Sequence, residues 1–182
     1  NFERVTSEIR NYNTLATLGS GSPTSQPMKL VLGLTGRSGF VFGNTGPFFY
    51  SQLFAMGGTQ YGEMLRGYPS FSITPRGFVA GSAQQATLGS FGGSFFSMTA
   101  ELGLRFSSSI YSDLFFDAGN VYQLPRDFDP TRLFRGAGIG VAIVTPLGPL
   151  GLDYGYGFDR TDAFGQPAPQ WQLHFRLGNI FQ

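Results

Sequence analysis

The chain has 182 residues and a formal net charge of +1 at neutral pH, which gives no electrostatic reason to expect a nucleic-acid partner. Only 13% of its residues are charged, about half the share of an ordinary soluble domain, while Gly (27) and Phe (20) are abundant. Cysteine is absent, which excludes a disulfide framework and thiolate metal sites.

In chain order, the predicted elements are strands, because their side chains sort by parity, and a period of two places alternate residues on opposite faces. In residues 2–14, Val5 and Ile9 oppose Arg4, Thr6, Glu8 and Arg10. In 28–42, Leu30, Leu32, Leu34 and Phe40 oppose Lys29, Thr35 and Arg37. Residues 43–93 form a long excursion, too long for a hairpin connection. Residues 94–106 set Phe96, Met98, Ala100, Leu102, Leu104 and Phe106 against Ser97, Thr99, Glu101, Gly103 and Arg105. Residues 111–122 set Leu114, Phe116 and Ala118 against Asp113, Asp117 and Gly119. Residues 135–144 set Ala137, Ile139, Val141 and Ile143 against Gly138, Gly140 and Ala142. Residues 150–158 set Leu150, Leu152, Tyr154, Tyr156 and Phe158 against Gly151, Asp153, Gly155 and Gly157. In 171–181, Trp171, Leu173, Phe175 and Leu177 oppose Gln172, His174, Arg176 and Gly178.

A strand with one large apolar face must lay that face against a second sheet or against lipid. Low charge and strands of roughly nine to thirteen residues favour lipid, since a tilted membrane strand needs about that length and soluble strands are nearer five or six. No stretch reads as a membrane helix; the longest uncharged one, between Arg135 and Asp153, is broken by Pro146 and Pro149. The tight turns at 107–109 and 145–149, set against the longer connections at 43–93, 124–134 and 159–170, have the asymmetry of an outer-membrane barrel. The expected fold class is therefore all-β, an antiparallel transmembrane β-barrel, with the polar faces turned inward.

Eleven of the twelve basic residues are Arg, which holds bidentate pairs with carboxylates better than Lys and so points to an ion-pair network. The excursion carries Gly57-Gly58 and then Leu65-Arg66-Gly67-Tyr68. Parity turns Glu101, Asp113, Asp117 and Asp153 to the proposed lumen, so a loop folded back inside has carboxylates available for Arg66. The inward Gly151, Gly155 and Gly157 leave room for such a loop.

Four segments in order carry a resemblance. Gly57-Gly58 followed by Leu65-Arg66-Gly67-Tyr68 resembles the lumen-loop motif of the BamA/TamA outer-membrane assembly-factor family, within the surface-antigen barrel superfamily. Phe115 to Tyr122 resembles a following strand of that family, Thr145 to Tyr154 its penultimate hairpin, and Leu173 to Phe181 its final strand. The resemblance implies that Arg66 docks on Glu101 and Asp117. It implies about seven C-terminal strands of a sixteen-stranded barrel, with the N-terminal strands and POTRA modules absent from this sequence. The final strand, with Trp171, Leu173, Phe175, Leu177, Gly178 and the terminal aromatic Phe181, would serve as seam and sorting signal. Two features depart from the family pattern: the segment between Gly58 and Arg66 is longer, and Gln182 follows the closing aromatic.

The implied function is insertion of outer-membrane proteins, in the outer membrane of a diderm bacterium. Its partners would be outer-membrane lipids, unfolded outer-membrane substrates and periplasmic accessory lipoproteins. The alternatives are a TamA-like or two-partner secretion pore, or a barrel anchor for a secreted passenger. No enzyme activity, cofactor or metal is expected. His174 is the only His and has no second His or Cys to complete a metal site. The run Gly136-Ala137-Gly138-Ile139-Gly140 lacks dinucleotide-loop spacing and the helix that must follow. Asp127, Asp129, Asp159 and Asp162 read as solvated loop residues. The chain starts at Asn1 without an initiator Met, which suits mature sequence or an internal fragment.

Overall fold

A computed structural model describes residues 1–19, 27–80, 86–107, 109–146 and 148–177. Seven strands form one antiparallel sheet: β1 (Phe2–Leu18), β2 (Met28–Gly43), β5 (Ser94–Arg105), β6 (Ile110–Tyr122), β7 (Phe134–Thr145), β8 (Gly148–Gly157) and β9 (Gln170–Leu177). Each pairs with its neighbour in chain order, so the sheet is a meander in the order β1-β2-β5-β6-β7-β8-β9. The remaining pair, β3 (Ile73–Thr74) and β4 (Gly77–Phe78), is a short ladder inside the long loop. The sheet is open at β1 and β9, the geometry of an arc of a barrel wall.

The strands lie where alternation places them, with one informative difference. β1 continues four residues past Thr14, and its register against β2 shifts between Thr14 and Ala16. A bulge there reverses the parity, so alternation is lost in the sequence while the strand goes on. At the opposite end of the hairpin series, Thr145 Oγ1 donates to the Gly148 carbonyl at 2.7 Å, and Gly148 takes a φ of +111°, a left-handed conformation suited to glycine. Gly178, Phe181 and Gln182 lie outside the described residues.

The outer face is apolar: Leu114, Ile139, Val141, Leu152, Leu173 and Phe175 are exposed along it. Aromatic rings collect at the end that carries the long loops. Phe128, from the β6–β7 connection, folds over the outer face between Phe40 (5.0 Å), Tyr122 (5.5 Å) and Phe96 (6.2 Å). Farther along, Trp171 stacks on Tyr154 at 4.6 Å, and Tyr156 packs against both Trp171 and Phe158. An apolar band capped by an aromatic girdle is the outer surface of a membrane barrel.

The inner face is polar at mid-strand but apolar toward the loop end. There Val41, Phe95 and Val121 of the wall pack against Phe54, Met56, Leu65, Tyr68 and Ile73 of the long loop in one buried cluster. Inward apolar side chains suit a barrel whose lumen is filled by its own chain, because the loop supplies the second surface that excludes water. Each fully buried large side chain contributes about 1.5–3 kcal/mol to holding the loop inside.

Candidate functional site

The loop re-enters the wall through backbone contacts that need glycine. Gly57 and Gly58 have φ of +119° and +70°, and a Cβ on Gly57 would meet the Pro69 carbonyl oxygen at 2.4 Å. Gly58 and Leu65 exchange both backbone hydrogen bonds (3.0 and 3.1 Å), closing the intervening residues into a small hairpin. That hairpin returns the chain beside Gly58, immediately before Arg66. Thr59, at that tip, donates to the Phe175 carbonyl of β9 at 3.3 Å.

Arg66 is fully buried against β6. Its guanidinium forks onto Asp117, with Nε to Oδ2 at 2.7 Å and Nη2 to Oδ1 at 2.8 Å, and its backbone N–H donates to the same Oδ2 at 3.1 Å. Thr99 Oγ1 adds a fourth donor to Asp117 at 3.0 Å. Nη1 lies 2.8 Å from Glu101 Oε1, but it lacks hydrogen-bond alignment, so Glu101 acts through charge. The guanidinium carbon lies 3.7 Å from the Phe115 ring centroid, a cation–π contact. Burial works against the cation, and the charges of Asp117 and Glu101 outweigh it, so Arg66 is held above its ordinary pKa. A buried charge with this many partners is positioned firmly, because any other placement strands it without water.

The neighbouring strands are cut away to admit the motif. A Cβ on Gly136 would come within 2.0 Å of the Arg66 carbonyl oxygen, one on Gly155 within 2.6 Å of the Gly67 nitrogen, and one on Gly157 within 2.5 Å of the Gly67 oxygen. Glycines on β7 and β8 therefore form the groove in which Arg66-Gly67 lies. Tyr68 closes it, its hydroxyl donating to the Arg135 carbonyl at 2.8 Å and accepting from the Asp159 N–H at 3.1 Å.

Two further arginine pairs flank this lock. Arg176 of β9 meets Asp153 of β8 with Nε to Oδ2 at 2.5 Å and Nη2 to Oδ1 at 2.8 Å, with Asp113 of β6 3.7 Å away. Arg37 of β2 reaches Glu63 of the loop at 2.8 Å. Sequence reading passed over Glu63; Arg37 already faces Glu8 across the β1–β2 pair, 3.7 Å away, so nothing in the strand pattern called for a loop carboxylate. Burial raises the Glu63 carboxyl above its ordinary pKa, against the pull of Arg37.

His174 points inward, and its Nε2 lies 2.9 Å from the Gly67 nitrogen. Trp171, Leu173, Phe175 and Leu177 share the outer face of β9, exposed beside the open edge, while the remaining seam residues Gly178 and Phe181 are not among the described residues. Gly136 to Gly140 lie in β7, not in a phosphate-binding turn.

The arc and its inserted loop are similar to the crystal structure of BamA from Haemophilus ducreyi lacking POTRA domains 1–3, with a TM-score of 0.62 and 22% sequence identity. The alignment covers 94% of this chain and 34% of that one, so the chain spans about a third of its length. At that identity the likeness speaks to the fold. An Omp85 superfamily domain matches residues 1–181, nearly every residue of the wall and loop described above, and the chain belongs to the Omp85 superfamily.

Proposed function

We propose that this chain is the C-terminal part of a barrel of the BamA kind, a sixteen-stranded insertase that assembles other β-barrel proteins in the outer membrane of a diderm bacterium. The observation that carries the reading is the buried Arg66 lock between Asp117 and Glu101, which holds a long loop across the inner wall as far as the closing strand. Membership of a superfamily of outer-membrane insertion and translocation barrels supports it, as does the likeness to a BamA structure.

On this reading the barrel acts without a catalytic group. The loop stiffens the inner wall, and the edge of β9 templates an incoming strand by β-augmentation. The partners are outer-membrane lipids and unfolded outer-membrane proteins, with periplasmic accessory lipoproteins and POTRA modules completing the machine.

Depletion of the full-length protein tests this. The expected outcome is loss of many unrelated outer-membrane proteins at once. Normal assembly of those proteins, with loss of a single exported passenger, would sink the insertase reading and assign the chain to secretion or anchoring.

A further inference from the structure

Consecutive backbone amides of the loop are held by two separated strands on the inner face of the wall. The Arg66 N–H is taken by Asp117 of β6 and the Gly67 N–H by His174 of β9, with β7 and β8 between them in the sheet. Across those two middle strands Arg66-Gly67 lies against Gly136, Gly155 and Gly157, whose missing side chains make its room; a Cβ on Gly155 would stand 2.6 Å from the Gly67 nitrogen. The Gly67 amide is therefore buried between Arg66 and Tyr68, both fully excluded from solvent, and it needs an acceptor.

The acceptor must be a nitrogen without a proton, because an imidazole nitrogen that carries hydrogen donates and does not accept. The hairpin tip adds a second contact to the same strand, from Thr59 Oγ1 to the Phe175 carbonyl.

We propose that His174 is the positioning residue that fixes the loop to the closing strand. Its neutral imidazole presents Nε2 to the Gly67 N–H and so ties β9 to β6 through the loop. The wall cannot splay between β8 and β9 without undoing this bond or dragging the loop with it. The inference concerns loop placement and stands whether or not the barrel inserts proteins.

The test is hydrogen–deuterium exchange at the Gly67 amide in the full-length protein reconstituted in lipid bilayers. His174→Gln sets an amide oxygen where Nε2 sits, whereas His174→Asn ends near the Nδ1 position, out of reach, and His174→Leu offers no acceptor. The expected result is exchange about tenfold faster or more in the Asn and Leu proteins and within about threefold of the parent in the Gln protein. Equal acceleration in Gln and Asn, or none in Leu, would overturn the proposal. Should the Asn and Leu proteins fail to assemble, the Gln protein decides: assembly with a slow Gly67 amide supports the role, and failure to assemble refutes it.

Discussion

Arg66 is stable inside the wall only because Asp117 meets it with matched geometry, so the pair is far more sensitive to the loss of one partner than to its overall charge balance. Asp117→Asn leaves a buried guanidinium short of its counter-ion and is expected to weaken loop docking by about 3–5 kcal/mol. The check is trypsin cleavage after Arg66 in the folded, membrane-embedded protein, where a buried Arg66 resists and a released one is cut. Arg66→Lys should not preserve docking, since an ammonium cannot fork onto Asp117 or lie flat on Phe115. Glu63 behaves differently. Its carboxyl is raised above the ordinary value of 4.5, so the folded loop binds the proton more tightly than a free loop does. Docking from this residue is strongest below that ordinary value and is lost as pH rises through the folded pKa. A Glu63→Gln protein is expected to show a flatter pH dependence of loop protection above the ordinary carboxyl value of 4.5; an unchanged slope would remove Glu63 as the cause.

Among the elements, β7 and β8 owe their inward glycines to the loop and not to their own pairing. Glycine weakens a strand, yet Gly136, Gly155 and Gly157 stand in consecutive wall positions because the Arg66-Gly67 backbone occupies the space of their side chains. Gly155→Val should therefore expel the motif at an overpacking cost of about 1–3 kcal/mol. Gly36→Ala, where nothing lies within 4 Å of the added Cβ, should leave loop protection unchanged. Comparing the two proteins by the same trypsin assay separates loss of loop space from a general glycine effect. The strand ends were mostly legible as alternation. The end of β1 was not, because the bulge between Thr14 and Ala16 exchanges the faces and erases the pattern that parity relies on.

For the whole molecule, the outer face decides between lipid and water. Ile139 is 53% exposed near the middle of β7. On a water-facing surface an Ile139→Arg change would be within about 0.5 kcal/mol of neutral. At a bilayer midplane it should cost about 2–4 kcal/mol, measured as the folding free energy of the full-length protein into lipid vesicles. A neutral result would contradict the membrane orientation inferred from the aromatic girdle around Phe128 and Trp171.

Alternation along each strand settles which side chains face outward and which inward, because a pleated strand has no other way to arrange them. That local rule turned Glu101, Asp117, Asp153 and His174 inward before any fold was in hand. It could not say which of the inward carboxylates Arg66 would reach, that Glu63 would cross to Arg37, or that His174 would face Gly67. Those contacts join positions from 26 to 107 residues apart along the chain. They exist only once the meander sets its register and the glycine groove admits the loop. Periodicity is written residue by residue, whereas the pairing of buried charges depends on which surfaces the fold brings together.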